Sequence, residues 1–163
     1  MNNISVNTQL TQQQYINVLY LLNYRRFAAY TSHMVGLMFM LSSVALFATT
    51  GETMFSTFII GGLVFLLNPA LVYLNGVKSF KLPNNRVTEP LTFTFTPEQF
   101  SIKGETFVTE MTWNKLYKVV ETKNWLLIYQ NKGMANVLPK SAISAELPEI
   151  RRIIGLTGIK YKH

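Results

Sequence analysis

The side chains able to do chemistry are few and poorly spaced for it. There are two histidines, His33 inside an apolar stretch and His163 at the last position, and there is neither cysteine nor aspartate. A Ser-His-Asp relay needs a histidine held against a carboxylate. A zinc site needs three or four His, Cys or carboxylate ligands converging on one point. Neither set can be assembled from these residues. No GxxxxGK[ST] loop and no GxGxxG turn is present to cradle phosphates, and Gly61-Gly62 lies within an apolar run. Paired carboxylates could serve glycoside chemistry, but Glu98, Glu105, Glu110 and Glu121 fall on or near strand edges and turns, where a solvated surface position is expected. Absence of Cys excludes disulfides, thiolate metal sites and Cys nucleophiles, and fits a reducing compartment. The expectation is therefore a non-enzymatic protein without metal or cofactor.

What remains is charge. The chain has 15 Lys and Arg against 8 Asp and Glu, a net +7. Lys103, Lys115, Lys118, Lys123, Lys132 and Lys140 are candidates for a basic surface. Such a charge attracts phosphate, but no helix-turn-helix, zinc finger or aromatic RNA-binding motif accompanies it, so nucleic acid is not the expected partner.

The distribution of charge leads to the elements. Residues 28–49 and 53–77 contain no Lys, Arg, Asp or Glu. A bilayer core of about 30 Å needs roughly 20 apolar helical residues, so the two runs predict a membrane hairpin over residues 28–77, joined by Thr50-Gly51-Glu52. A signal peptide fits poorly, because its apolar region is short and here a second run follows at once. All the basic residues lie outside the hairpin, with Arg25 and Arg26 before it, and the connecting turn carries only Glu52. The positive-inside bias puts both termini in the cytoplasm. Arg25, Arg26, Lys78, Lys81 and Arg86 are the candidate contacts with the lipid surface.

Within the hairpin, Ser42-Ser43 and Gly61-Gly62 are expected to meet at similar depth, since small residues let helix backbones approach closely in lipid. Pro69 removes a helix hydrogen bond and predicts a kink, and Asn68 beside it needs a polar partner, for which His33 is a loosely matched candidate. Ser42, Ser43, Gly61, Gly62, Asn68 and Pro69 are the candidate hairpin-packing set. A charge-free hairpin has little with which to carry a substrate.

Four segments are expected. Residues 1–27 hold a polar, loose start and then an amphipathic helix. Thr11 and Gln14 have capping-box spacing, and Tyr15, Val18, Leu19 and Leu22 recur at helical spacing. That helix would lie in the lipid interface or pack on the C-terminal domain. Residues 28–77 form the hairpin, and residues 78–90, whose composition breaks helices, form a linker.

Residues 91–163 form an α+β domain. Leu91, Phe93 and Phe95 alternate with threonines in a strand-like period. Further strands follow, one carrying Phe107, Thr109, Met111 and Trp113 on one face and another, residues 125–129, covered on both faces. Asn131-Lys132-Gly133 makes a hairpin turn. A last helix buries Leu147, Ile150, Ile153 and Ile154, has Arg151 and Arg152 on its polar side, and ends at Gly155. An antiparallel bent sheet or β-barrel with one helix over an opening is expected.

In this order the fragments Leu91-Thr92-Phe93-Thr94-Phe95-Thr96-Pro97-Glu98, Trp113-Asn114-Lys115-Leu116, Val119-Val120-Glu121-Thr122-Lys123, Trp125-Leu126-Leu127-Ile128-Tyr129 and Leu138-Pro139-Lys140 resemble the YcxB-like family of small bacterial membrane proteins. The resemblance implies a pleckstrin-homology-like domain on the cytoplasmic side of a bacterial plasma membrane. It implies no activity and no catalytic residues. Phosphoinositide-binding pleckstrin-homology domains hold the headgroup with basic residues around their first hairpin. Here Pro97-Glu98-Gln99 occupies the first turn visible in the sequence, with only Lys103 nearby.

The expected function is a membrane-anchored interaction module that presents this domain to a protein partner or to the inner-leaflet surface. The alternative is an accessory subunit of a transport or envelope assembly, acting through the hairpin. The bilayer, a protein partner and a second copy of the chain are the expected partners. The charge asymmetry sets a direct test of topology. The chain lacks cysteine, so single cysteines at Thr50, Asn3 and Lys162 can be probed with an impermeant thiol reagent in intact cells. Only the first is expected to react, and labelling at Lys162 would reverse the assignment of sides.

Overall fold

Threonine and phenylalanine alternate over Leu91–Phe95 because the strand they form has one face in water and one in a core. Phe93 and Phe95 are buried and the threonines between them are not. In the computed structural model, which describes residues 3–25, 27–51, 55–82, 85–86 and 88–162, the chain has an α+β architecture. It divides into two units, one of residues 12–83 and the other of residues 1–11 and 84–163.

The helical unit contains α1 (Gln12–Asn23), α2 (Ala28–Thr50) and α3 (Phe55–Phe80). Residues 29–50 and 55–80 are helices long and apolar enough to cross a membrane. Much of their apolar surface, including Met38, Leu41, Leu63 and Leu66, is uncovered within the unit. Gly51 ends α2 in the left-handed conformation and donates its N–H to the Phe47 carbonyl. α3 does not stop at residue 77, before the expected linker. It runs through Gly76 and Lys78 to Phe80, because Gly76 is a packing site. A methyl group there would stand 3.1 Å from both Ile16 and Leu19 of α1. The N-terminal helix thus packs on α3, and the Tyr15 ring lies 5.8 Å from that of Phe80. Neither surface proposed for it from sequence is needed to explain this contact.

Among the described residues the β unit contains eight strands in two sheets. The first sheet has the order β1-β2-β3-β4, all antiparallel, from β1 (Ile4–Thr8), β2 (Leu91–Phe95), β3 (Gln99–Lys103) and β4 (Val108–Thr112). The second has the order β7-β6-β5-β8, from β5 (Lys118–Glu121), β6 (Trp125–Tyr129), β7 (Ala135–Pro139) and β8 (Tyr161–Lys162). β8 pairs with β5 in parallel, and the other pairings are antiparallel. Every residue of β6 is buried, as its continuous apolar run requires. Helix α4 (Leu147–Leu156) buries Leu147, Ile150, Ile153 and Ile154. It continues past Gly155, and the left-handed glycine lies further on, at Gly158.

Two expectations change in this unit. Trp113 belongs to the core, but it sits in a 3-10 turn after β4 rather than on the strand. Its indole N–H donates to the Thr96 carbonyl at 2.8 Å, which fixes the ring beside Phe95 and Phe100. The N-terminal residues expected to be loose form β1, with Val6 buried opposite Phe93. Ser5 bonds Thr94, and Thr92 donates to Asn7, across the outer face. The β unit therefore includes residues that precede the helices, whereas the sequence boundary at 91 leaves them out.

A fragment cut at the linker loses a strand and exposes the edge of β2 to other chains. Residues 88–163 alone are expected to aggregate or to melt well below the same fragment joined to residues 3–11 by a short Gly-Ser linker. Circular dichroism melting and size-exclusion chromatography would compare the two. Equal stability would show that β1 contributes nothing to the unit.

Candidate functional site

Three polar or cavity-forming clusters stand out. The first is built on Glu121, at the end of β5. Strand alternation puts it on the same face as Val119, which is buried, and its side chain is only 4% exposed. A carboxylate there must be matched by donors. Lys140 reaches Oε1 at 2.5 Å, and the Arg151 guanidinium grips both oxygens, Nη2 to Oε1 at 2.5 Å and Nε to Oε2 at 3.0 Å. The Tyr161 hydroxyl donates to Oε2. One side chain thereby ties β5, the turn after β7, α4 and β8 together.

The Arg151 hydrogen bonds hold the Glu121 carboxyl well below the usual carboxylate range, against the opposing effect of burial. Burial, followed by the neighbouring carboxylate, pushes the Tyr161 hydroxyl up to about 12. This corrects the expectation that Glu121 is solvated surface; Arg151 is exposed, as expected, but its guanidinium reaches Glu121. Leu147, Ile150, Arg151 and Ile154 are the i, i+3, i+4, i+7 stripe of α4. Arg151 therefore shares the side that faces the sheet.

The second cluster lies in the helical unit. Asn68 donates to the Ala29 carbonyl at 2.9 Å and accepts from Asn23 Nδ2 at 2.9 Å. The carbonyl of Pro69 accepts the Tyr20 hydroxyl at 2.8 Å. His33 does not partner Asn68; its Nε2 shares a 2.9 Å hydrogen bond with the Tyr24 hydroxyl, and its ring lies 4.8 Å from that of Phe65. The close approach of α2 and α3 is made by Gly36 and Gly61. A methyl group on Gly36 would stand 2.6 Å from the Gly61 carbonyl oxygen, and one on Gly61 would stand 2.8 Å from the Gly36 carbonyl oxygen. Ser43 is buried, Ser42 bonds the carbonyl of Phe39 in its own helix, and the side of Gly62 is open. Gly36 was missed because its single glycine lacks the paired pattern of the residues expected to meet.

The third is a cavity of about 410 Å³ inside the β unit. Leu91, Phe93 and Ile102 of the first sheet form one wall, and Ala135, Asn136 and Val137 of β7 form another. Leu10, Phe107 and the exposed Arg86 also line it. The Arg86 guanidinium lies 5.3 Å from the centre of the Phe107 ring. Asn136 Nδ2 is buried with no hydrogen-bond partner among the described residues. Glu89, close by in sequence, feels the Arg86 charge, but its carboxylate is hydrogen-bonded elsewhere. Its carboxylate accepts the Thr106 hydroxyl at 2.7 Å and the N–H groups of Glu105 and Thr106, capping the turn after β3.

Of the residues expected at a lipid surface, Arg25, Lys78 and Lys81 are exposed, Arg86 lies at the cavity, and Arg26 falls outside the described residues. The first hairpin of the β unit is not the turn at Pro97-Glu98-Gln99, which joins β2 to β3. It is the β1–β2 pair, whose connection is the whole helical unit. Among the described residues no group of His, Cys, Asp or Glu could hold a metal ion.

The fold and these clusters define an α+β protein in which a pair of membrane-length helices is inserted between the first two strands of a β unit. A family model described as YcxB-like protein matches residues 95–154, so the chain is similar to that family from the end of β2 to Ile154 in α4. The match covers Glu121, Lys140 and Arg151, but not β1, α1, α2, α3 or Arg86. No curated protein and no solved structure matches the chain.

The Glu121 cluster predicts a specific acid sensitivity. A group held below its ordinary pKa stabilises the fold fully above that ordinary value. This stabilisation is lost as pH falls toward and through the lowered one. Removing one partner of a buried pair costs about 3–5 kcal/mol. The Arg151 side chain, 43% exposed, recovers some hydration, so Glu121→Ala is expected to cost roughly 2–3 kcal/mol. Urea unfolding followed by tryptophan fluorescence would measure it. The loss of stability between about pH 4 and pH 2 should shrink in Glu121→Gln. An unchanged acid limb would place the sensitivity elsewhere.

Proposed function

We propose that this protein is a non-enzymatic, membrane-anchored interaction module of a bacterial plasma membrane. In this reading α2 and α3 cross the bilayer with both termini in the cytoplasm. The β unit is a pleckstrin-homology-like domain that meets a protein partner or the inner-leaflet surface. The observation that carries the reading is one of connectivity. The chain leaves the β unit after residue 11, runs through two helices of membrane length, and returns to the same unit at residue 84. A domain held at both ends of its anchor is confined near the membrane by its own backbone rather than by one flexible tether.

Other features support it. Four strands in one sheet, three antiparallel strands in the next and then a helix is the order expected of a pleckstrin-homology-like domain. The similarity to YcxB-like proteins over residues 95–154 fits the same reading. The uncovered apolar surface of α2 and α3 suits a lipid environment, and the exposed Lys78 in the last turn of α3 and Lys81 just after it suit an anionic leaflet, which attracts cations.

A second reading, an accessory subunit of a membrane assembly acting through its helices, is favoured by the open side of Gly62, which leaves room for another helix. Photoreactive residues placed singly in the full chain at Tyr117 and Met134 of the β unit, and at Met38 and Leu63 of the helices, would separate the two. Protein or lipid adducts from Tyr117 or Met134 in cells are the expected result. Protein adducts from Met38 and Leu63 alone would shift the function to the helices.

A further inference from the structure

The cavity between the first sheet and β7 has the composition of a small-molecule site. Its volume of about 410 Å³ falls in the range of known ligand pockets, which are mostly apolar with a few placed polar groups. Its walls are Leu, Ile, Val, Ala and Phe side chains, and its two strongest polar groups both donate hydrogen bonds. Arg86 is a guanidinium, with donors only, exposed to solvent at the rim. The Asn136 amide nitrogen is buried and unpartnered among the described residues, a position that costs free energy unless something accepts its hydrogen bond. A buried orphan donor and a cation on an apolar hollow are complementary to a molecule with a hydrocarbon body and an anionic oxygen. Glu89 is near enough to feel the Arg86 charge, but its carboxylate oxygens are hydrogen-bonded to the turn at Glu105 and Thr106 and do not enter the cavity lining.

The source of such a molecule follows from the chain. Leu10 lies two residues before the start of α1, and Arg86 six residues after the end of α3. The cavity is thus lined by both segments through which the β unit is joined to its helices. We propose that this cavity takes the acyl chain of a single-chain anionic amphiphile, a fatty acid or a monoacyl phospholipid, with Arg86 at the rim holding the head. This deepens the interaction-module reading by naming a ligand. It rests on that reading only for the bilayer as the ligand's source.

The test uses the full chain in phosphatidylcholine nanodiscs, loaded with trace palmitate or monoacyl phospholipid carrying a diazirine in the acyl chain. After photolysis, adducts are mapped by peptide mass spectrometry. Adducts on peptides carrying residues 102–107 and 134–137 are expected. They should fall roughly tenfold in Arg86→Gln, the loss of one charge-assisted hydrogen bond, and by a similar factor when the palmitate probe is a methyl ester. Val137→Trp, which fills the hollow, should abolish them while α2 and α3 are still labelled. The better competitor of the two unlabelled amphiphiles identifies the source of the head.

Adducts on α2 and α3 without any on the β unit would overturn the inference and leave the anchored-module reading standing. Cavity adducts with α2 and α3 unlabelled would support the inference and overturn the membrane reading. Cavity labelling indifferent to both Arg86→Gln and the ester would overturn the assignment of the head.

Discussion

A carboxylate taken out of water costs several kcal/mol unless charge and hydrogen bonds replace its hydration. Glu121 meets that condition with Lys140, Arg151 and Tyr161. Each donor comes from a different segment, so the charge is matched only when all are in place. The second half of the β unit depends on this. β8 is two residues long, too short to hold an edge by its own ladder, and Tyr161 gives it a second attachment. α4 is positioned both by its apolar stripe and by the bidentate grip of Arg151, whose fork geometry fixes direction as well as distance. The buried aromatic group of Phe95, Phe100 and Trp113 supplies area in the other half, but without direction.

The helical unit meets an analogous requirement by different means. A proline inside α3 leaves backbone polar groups without helix partners, and an asparagine beside it carries more donors and acceptors than an apolar surround can satisfy. Asn23 and Tyr20 of α1 bond Asn68 and the Pro69 carbonyl, and Gly76 lets α1 approach. The amphipathic helix before the apolar pair is thus a polar clasp on its second member. At Gly36 and Gly61 the requirement is steric, since either methyl group would run into backbone atoms, which cannot move aside as a side chain can.

Placing these helices between β1 and β2 changes how the β unit is closed. An edge strand from before the helices covers β2, so the sheet is complete only after the chain has passed through the whole helical unit. Pairing strands so distant in sequence carries a loop-closure cost that grows only slowly with length, and the packing of α2 on α3 shortens the effective loop. The same route puts Leu10 and Arg86 on one cavity although 75 residues of chain lie between them.

The sequence by itself determined what depends on neighbours a few residues away. The two apolar runs, the alternation in β2 and β3, the all-buried β6, the hairpin turn at Asn131 and the buried stripe of α4 each leave a local period or composition. So do the fragments between residues 95 and 140 that fall within the YcxB-like match. Only the tertiary structure decided the role of residues 4–8, whose polar alternation is short and whose partner is about 85 residues away. The same holds for Glu121, although its period with Val119 and that of Arg151 with Leu147 were present to be read. A charged residue on a buried face is interpretable only once its counter-charges are located, and those came from three other elements. The Gly36–Gly61 contact, the parallel pairing of β8 and the cavity closed by Arg86 likewise depend on which distant surfaces meet. Local periodicity fixes the face a residue turns to, but it carries no information about what stands opposite.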